Sequence, residues 1–213
     1  MSRGKNLLLQ DIYKDRNDLN FTTAQESYRE FMVAFPSALA ELTIQEELKQ
    51  TTLFQIVDMI DVTKSIVSSI ETLQFIVDAN ESYQDKQRGN GKQVPRRAVQ
   101  NVETDNGNND GLVNDSYAPT GNNLYKFTLQ DCYGNLCYAY EKEPLHLRNK
   151  NDIFFPVKLG SKIIVYKKTK IMFNTLHLTN HNIKYLAGSI DRLRYNAEQR
   201  ILKGLKEEIN YQG

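Results

Sequence analysis

The chain predicts a small Greek-key β-barrel with flanking helices. Three observations carry the prediction: an alternating hairpin between Leu124 and Glu141, a lysine-studded series of strands from Phe155 to Gly188, and helical periodicity confined to the two ends and one internal segment. In the hairpin, Tyr125, Phe127 and Leu129 share one face of the first strand while Lys126, Thr128 and Gln130 share the other. A turn at Asp131-Cys132-Tyr133-Gly134-Asn135 reverses the chain. The return strand, Leu136 to Glu141, alternates again, with Leu136, Tyr138 and Tyr140 opposite Cys137, Ala139 and Glu141. Beyond Pro144, a Leu159-Gly160-Ser161-Lys162 turn leads into the β-branched run Ile163-Ile164-Val165, Ile171 to Leu178 predicts a further strand, and Ile183 to Gly188 the last.

The remaining elements follow from spacing. Thr22 to Lys49 reads as two short helices broken at Phe35-Pro36-Ser37, with Tyr28, Phe31, Met32 and Phe35 at helical intervals and Ser37 opening the second. Two such helices bury no core alone, so they are expected to pack on the barrel. Leu53 to Val62 is the barrel's first strand, with Phe54, Ile56, Ile60 and Val62 on one face. Roughly sixty residues then separate it from its expected partner at Leu124, where small barrels commonly have a short turn. Ser65 to Val77 places Ile66, Val67, Ile70, Leu73, Ile76 and Val77 at helical intervals. Asp78 to Asn123 runs from a basic portion into an Asn/Asp/Gly tract too poor in apolar residues to order itself. Ile190 to Tyr211 predicts a closing helix with Ile190, Leu193, Ala197, Ile201, Leu205 and Ile209 on its buried stripe. The expected division is an N-terminal helical segment (1–50), a barrel (51–189) interrupted by an insertion (65–123), and a C-terminal helix (190–213).

Composition sets bounds. A chain of 213 residues accommodates one domain with a real core plus an insertion, not a large multidomain enzyme. Net charge is only +1, but Ile153 to Ile190 holds six lysines and no acid, so that stretch carries +6 and the rest −5. A local basic surface is expected. The two cysteines, Cys132 and Cys137, flank one turn, where a bridge would close a very small loop and add little. With no transmembrane-length apolar stretch and no signal-peptide core, a soluble intracellular protein with free thiols is expected.

Candidate chemistry is sparse. Lys158, Lys167, Lys168 and Lys170 are candidate DNA-binding residues, and Tyr133, Tyr138, Tyr140, Tyr166 and Phe173 are aromatics on which bases can stack; solvated charge and barrel rim are the bland alternatives. The Cys-x4-Cys spacing of Cys132 and Cys137 around the hairpin turn permits zinc, but His177 and His181 straddle a strand end and a loop rather than one helical face, so no metal and no cofactor are expected. Thr63-Lys64-Ser65 lacks the glycines of a phosphate loop, and neither a nucleophile elbow nor a carboxylate cluster occurs, so the chain reads as non-enzymatic.

The order of strand, long insertion, hairpin, Gly-Ser-Lys turn, strand and a strand ending Leu-Ala-Gly resembles a known family. Phe54 to Val62, Tyr125 to Asp131, Glu143-Pro144-Leu145, Leu159-Gly160-Ser161-Lys162 (for the family's Pro-Gly-Thr-Lys turn) and Asn182 to Gly188 carry the resemblance. The family is the first subunit of the RecQ-mediated genome instability complex, in its short fungal-type form. It implies a five-stranded OB-fold that binds topoisomerase III, a type IA topoisomerase, as a 1:1 heterodimer. The insertion between strands one and two would modulate the strand-passage gate. It further implies a ternary complex with a RecQ-family helicase in the nucleus, double Holliday junction dissolution during recombinational DNA repair, weak DNA contact, and no small OB-fold companion in the short form. On that basis Ile66, Val67, Ile70, Leu73, Phe75, Ile76 and Lys162 are the candidate topoisomerase contacts. Packing of the insertion helix on the protein's own barrel is the alternative, and a stand-alone single-strand-binding OB-fold is the alternative function.

Overall fold

The computed structural model describes residues 6–35, 46–88, 123–147 and 156–210, with backbone alone at 81–88. The elements are β1 (Glu46–Glu47), β2 (Thr52–Asp61), α1 (Ile66–Arg88), β3 (Tyr125–Asp131), β4 (Leu136–Glu141), β5 (Lys162–Val165), β6 (Lys170–Met172), β7 (Thr175–Leu178), β8 (Ile183–Ala187), α2 (Asp191–Arg194) and α3 (Ala197–Glu208), preceded by short 3₁₀ segments. They fall into two compact units: Met1–Thr63 with Pro119–Lys150 and Phe154–Tyr195, and Lys64–Ala118 with Asn151–Ile153 and Asn196–Gly213.

In the first unit the eight strands make one curled sheet in the order β1-β6-β7-β4-β3-β2-β5-β8. The expected hairpin is β3 and β4, paired from Lys126↔Tyr140 to Gln130↔Leu136. Its inner face is Tyr125, Phe127 and Leu129 on one strand and Cys137, Ala139 and Glu141 on the other, all buried. Phe54, Ile56, Met59, Ile163, Val165, Leu176 and Leu178 complete the core, each contributing roughly 1.5–3 kcal/mol through burial. β7 runs parallel to β4, while β8 pairs antiparallel with β5 at the opposite end of the sheet. The Thr179–Asn182 turn carries the chain between those ends. Asn182 shapes it, accepting from the Thr179 N–H at 2.8 Å and donating to the His177 carbonyl at 2.8 Å.

Several expectations need correction. The alternation of β2 slips at Val57, where the register with β3 shifts between Ile56 and Asp58. One extra residue reverses the faces beyond it, so Met59 is buried while Ile60 is half-buried and Val62 exposed. The single strand expected over Ile171 to Leu178 is a hairpin, β6 and β7, turned by Phe173 and Asn174 at φ 47° and 59°. The N-terminal helix is a 3₁₀ segment over Thr23–Phe31, and the helical reading to Lys49 ends instead in β1, paired with β6. The body of the second N-terminal helix, 36–45, lies outside the described residues. The C-terminal helix breaks between α2 and α3 at Asn196, which is left-handed at φ 49°. The internal helix continues to Arg88 rather than stopping at Val77, and the tract expected to be disordered lies, over 89–122, outside the described residues.

The outer face of β2 and β5 is also covered. Leu53 and Ile164, cross-strand neighbours, join Leu7, Ile12, Leu19 and Cys132 in a second apolar cluster, with Phe21, Tyr28, Phe31, Met32 and Leu186 packed around it. The N-terminal segment thus lies across the sheet like a strap. Asp131 anchors its far end: Oδ2 accepts from the Phe35 N–H at 2.6 Å and from Asn135 Nδ2 at 2.8 Å, while Oδ1 accepts from the Tyr133 and Asn135 N–H groups. Phe35 packs edge-on against Phe54, ring centroids 5.8 Å apart.

In the second unit α1 packs against α3. Ser65 Oγ accepts from the Ser68 N–H at 3.1 Å, as a helix N-cap does. Ile70, Leu73 and Val77 of α1 and Ala197, Ile201, Leu202 and Leu205 of α3 are buried, and Lys206 Nζ donates to Gln74 Oε1 at 2.7 Å.

Gly188 sits at φ 102°, and a Cβ there would fall on the Leu8 carbonyl, the acceptor for the Ser189 N–H at 2.9 Å. Gly188→Ala is therefore expected to cost at least about 2 kcal/mol through backbone strain and displacement of the strap. Gly204, with open space around its Cβ position in α3, is the contrast: Gly204→Ala should stabilise by about 0.5–1 kcal/mol. Urea melts measure both, and hydrogen exchange at Leu7 to Ile12 should quicken only in Gly188→Ala.

Candidate functional site

The predicted contact residues on α1 divide between two faces. At 100° per residue, Ile70, Leu73 and Val77 cluster on one side, and Val67, Glu71, Phe75 and Asp78 on another. Ile70 and Leu73 are 1% and 0% exposed, so, contrary to expectation, they are core of the protein itself and present no surface to a partner. Val67 and Phe75 are 46% and 64% exposed, and Ile66 and Ile76 are half-buried. The outward stripe is thus apolar and acidic together, since Glu71 and Asp78 are both exposed. Gln74 Nε2 donates to Asp78 Oδ1 at 2.8 Å and holds that carboxylate in place.

Lys162 also requires correction. It is 0% exposed, its Nζ donating to the Gly160 carbonyl at 2.6 Å, so it makes no surface contact. Its place in the sheet explains the burial. Lys162 pairs with Gln55 across β5 and β2, and Gln55 with Gln130 across β2 and β3, so the three side chains stand in one row on the outer face beneath the strap. Gln55 Oε1 accepts from the Ile12 N–H at 3.1 Å, and Gln55 Nε2 donates to Asp11 Oδ1 and Gln130 Oε1, both at 2.9 Å. Asp11 Oδ2 accepts from Arg192 at 2.7 Å. Burial opposes the charge on Asp11, but bonds from Gln55, Arg192 and the Lys14 and Tyr13 N–H groups outweigh it and hold the carboxyl below its usual range. Burial pushes Lys162 down to about 8 against the opposing pull of Asp11 and Asp15. Nothing in the sequence flagged Asp11, Gln55 or Arg192, because each is an ordinary polar residue until the sheet register aligns them.

The candidate DNA-binding lysines, Lys158, Lys167, Lys168 and Lys170, are all exposed. Of the aromatics, Tyr133 and Tyr138 are about half exposed and are covered by cations, with Arg16 4.3 Å and Lys126 Nζ 4.0 Å from their ring centroids. Phe173 is 63% exposed at its turn, Tyr166 is 36% exposed, and Tyr140 is half-buried. Cys132 lies in the strap cluster and Cys137 on the inner barrel face opposite Leu129. Burial raises both thiols, Cys132 to about 11, which suppresses thiolate chemistry. Burial, then Lys142 and Lys170, lower the pKa of His177. Among the described residues no three His, Cys, Asp or Glu side chains are grouped to hold a metal, and no helix is long and apolar enough to cross a membrane.

A curled half-barrel sheet in which β7 runs parallel to β4, with flanking helices, defines an OB-fold domain. A family model described as "RMI1, N-terminal OB-fold domain" matches residues 35–201, and the chain belongs to that family. Family membership gives it a role in genome maintenance, within a domain type that is accessory rather than catalytic. The family's work lies in topoisomerase III and RecQ complexes generally. No curated protein matches the chain.

Lys162 generates a pH signature. Its folded pKa, about 8, lies below the ordinary lysine value of 10.5, so between those values the unfolded chain binds more protons than the folded one. Stability contributed by this group therefore rises with pH across that window, by up to about 1.4 kcal/mol per unit. The raised cysteine pKa values act in the opposite sense at higher pH, which places the useful range near pH 8 to 9. In urea melts, the stability of wild type relative to Lys162→Met should climb across that range; a constant difference would mean that Lys162 is not held this way.

Proposed function

We propose that the protein is the accessory subunit of a topoisomerase III in the nucleus, tuning the enzyme's strand-passage gate. It does so within a RecQ-helicase complex that dissolves double Holliday junctions. The observation that carries the reading is the exposed Val67–Phe75 stripe on the helix that opens the insertion, in a chain whose family works in such complexes. An apolar pair at i and i+8, flanked by Glu71 and Asp78, suits a helix-in-groove contact with an apolar pocket rimmed by basic groups. The inward residues Ile70 and Leu73 are buried in the unit where α1 packs against α3, so the docking face is held by packing before the partner arrives. Preorganisation of this kind reduces the entropy lost on association.

The two faces predict different phenotypes. Val67→Asp with Phe75→Asp is expected to weaken the 1:1 complex with a matching topoisomerase III by more than tenfold, or about 1.4 kcal/mol, and to abolish stimulation of relaxation while leaving the melting temperature unchanged. Leu73→Ala should destabilise the protein by about 2–5 kcal/mol without altering the affinity of the folded fraction. Light scattering coupled to size exclusion, with thermal melts on the same samples, separates the two. An unimpaired complex in the double Asp variant overturns the proposed docking face.

A further inference from the structure

Three loops distant in sequence are laced into one surface beside β5. Leu48–Thr51 joins β1 to β2, Tyr166–Thr169 joins β5 to β6, and Thr179–Asn182 joins β7 to β8. The Leu48 N–H donates to the Thr169 carbonyl at 2.8 Å, and the Lys168 N–H to the Leu48 carbonyl at 2.7 Å. The Lys167 N–H donates to Thr51 Oγ1 at 3.1 Å, and the Tyr166 N–H to the Asn182 carbonyl at 2.9 Å. The Tyr166–Thr169 turn is closed on itself as well, Thr169 Oγ1 donating to the Tyr166 carbonyl at 2.7 Å. Lys168 occupies the turn at φ 68°, a left-handed conformation that favours glycine or asparagine. A fold that places a lysine there displays two adjacent ammonium groups, those of Lys167 and Lys168, from a fixed backbone.

Around these two stand Lys49, Lys170 and Lys184, all exposed, and the exposed His181. Among the described residues no acid is ion-paired with Lys49, Lys167, Lys168 or Lys170. Glu47 is the register partner of Lys170, and Glu143 is engaged by Asn180, whose N–H it accepts at 2.7 Å. Lys184 Nζ sits 5.0 Å from the Tyr28 ring centroid and near the Tyr166 phenol, so aromatic surface borders the cations.

We propose that this three-loop surface binds the phosphodiester backbone of nucleic acid, with Lys49, Lys167 and Lys168 as its principal contacts. Unpaired ammonium groups on a rigid support suit a repeating line of phosphates, and each contact formed releases condensed counterions. The surface lies in the barrel's own unit, apart from the α1 stripe, so it does not depend on the topoisomerase reading. Lys49 becomes part of the site through the pairing of β1 with β6 and the Leu48 and Thr51 bonds to the Tyr166–Thr169 turn.

The test is fluorescence anisotropy of the full chain with a labelled 20-mer, single-stranded or as duplex, across 50 to 200 mM salt. The variants are Lys49→Gln/Lys167→Gln/Lys168→Asn and, as a charge-matched control, Lys14→Gln/Lys142→Gln/Lys203→Gln, all at exposed positions. The cluster variant should lose at least about tenfold in affinity at the lowest salt. Its log–log salt slope should fall by about 2–3 units, at roughly 0.9 per duplex phosphate or 0.7 per single-strand phosphate. The control should retain the wild-type slope, and the strand form with the larger change identifies the source of the phosphates. The proposal is overturned if the two triple variants lose affinity equally, if wild type binds neither strand form at 50 mM salt, or if a 20-residue polyglutamate competes as well as the unlabelled oligonucleotide. The last outcome would make the partner an acidic protein.

Discussion

A single row of polar side chains, buried at Lys162 and Gln55, ties the barrel unit together. Lys162, Gln55 and Gln130 stand side by side across three strands, and Asp11 with the Ile12 N–H reaches down to them from the strap. Buried polar groups are tolerated only when their partners are supplied at the right distance and direction. The row therefore specifies where the N-terminal segment lies to within a residue, a definition that the apolar contacts of Leu7, Leu19, Leu53 and Ile164 do not provide alone. Arg192, joined to Asp11 at the start of α2, fixes the far end of the barrel unit to the same point. Both termini of the barrel are registered against its outer face by one carboxylate.

The barrel was legible in the residues wherever a face alternates without interruption. The β3–β4 hairpin, the β5 run and the closing strand all fall where Tyr125, Phe127, Leu129 and the Ile163-Ile164-Val165 triplet put them. What was not legible depended on single-residue events. A bulge at Val57 exchanged Met59 for Ile60 in the core, and left-handed Phe173-Asn174 and Asn196 broke a strand and a helix whose hydrophobic periods ran straight through. None of these residues is glycine or proline, the usual signals of such breaks. The candidate site was half legible for a related reason. Periodicity identifies an amphipathic helix but not which arc of a broad apolar face is already occupied, so Ile70 and Phe75 looked equivalent until α3 was seen to pack against the helix. Lys162 looked like surface because lysine usually is; the cross-strand position that buries it is a property of the sheet.

The same contrast separates the two contact surfaces. On α1 the exposed groups are apolar with acids between them, a combination that gains from excluding water against another protein. On the three-loop surface the exposed groups are ammonium ions on a tightly bonded backbone, a combination that loses strength with salt. Each lies in a different compact unit.

The Asp11–Arg192 contact spans 181 positions of the chain. At synthesis rates of roughly 5–20 residues per second, the ribosome needs about ten seconds or more after making Asp11 before its partner exists. Until then Leu53, joined late by the cysteine at 132 and by Ile164, has no fully fastened cover, and the barrel's first strand waits for partners that begin only at Tyr125. The nascent protein thus passes through a stage with unpaired strand edges and open apolar surface, the state most prone to non-native association and the one in which chaperones find their clients. A long insertion placed before the second barrel strand lengthens that stage with every residue it contains.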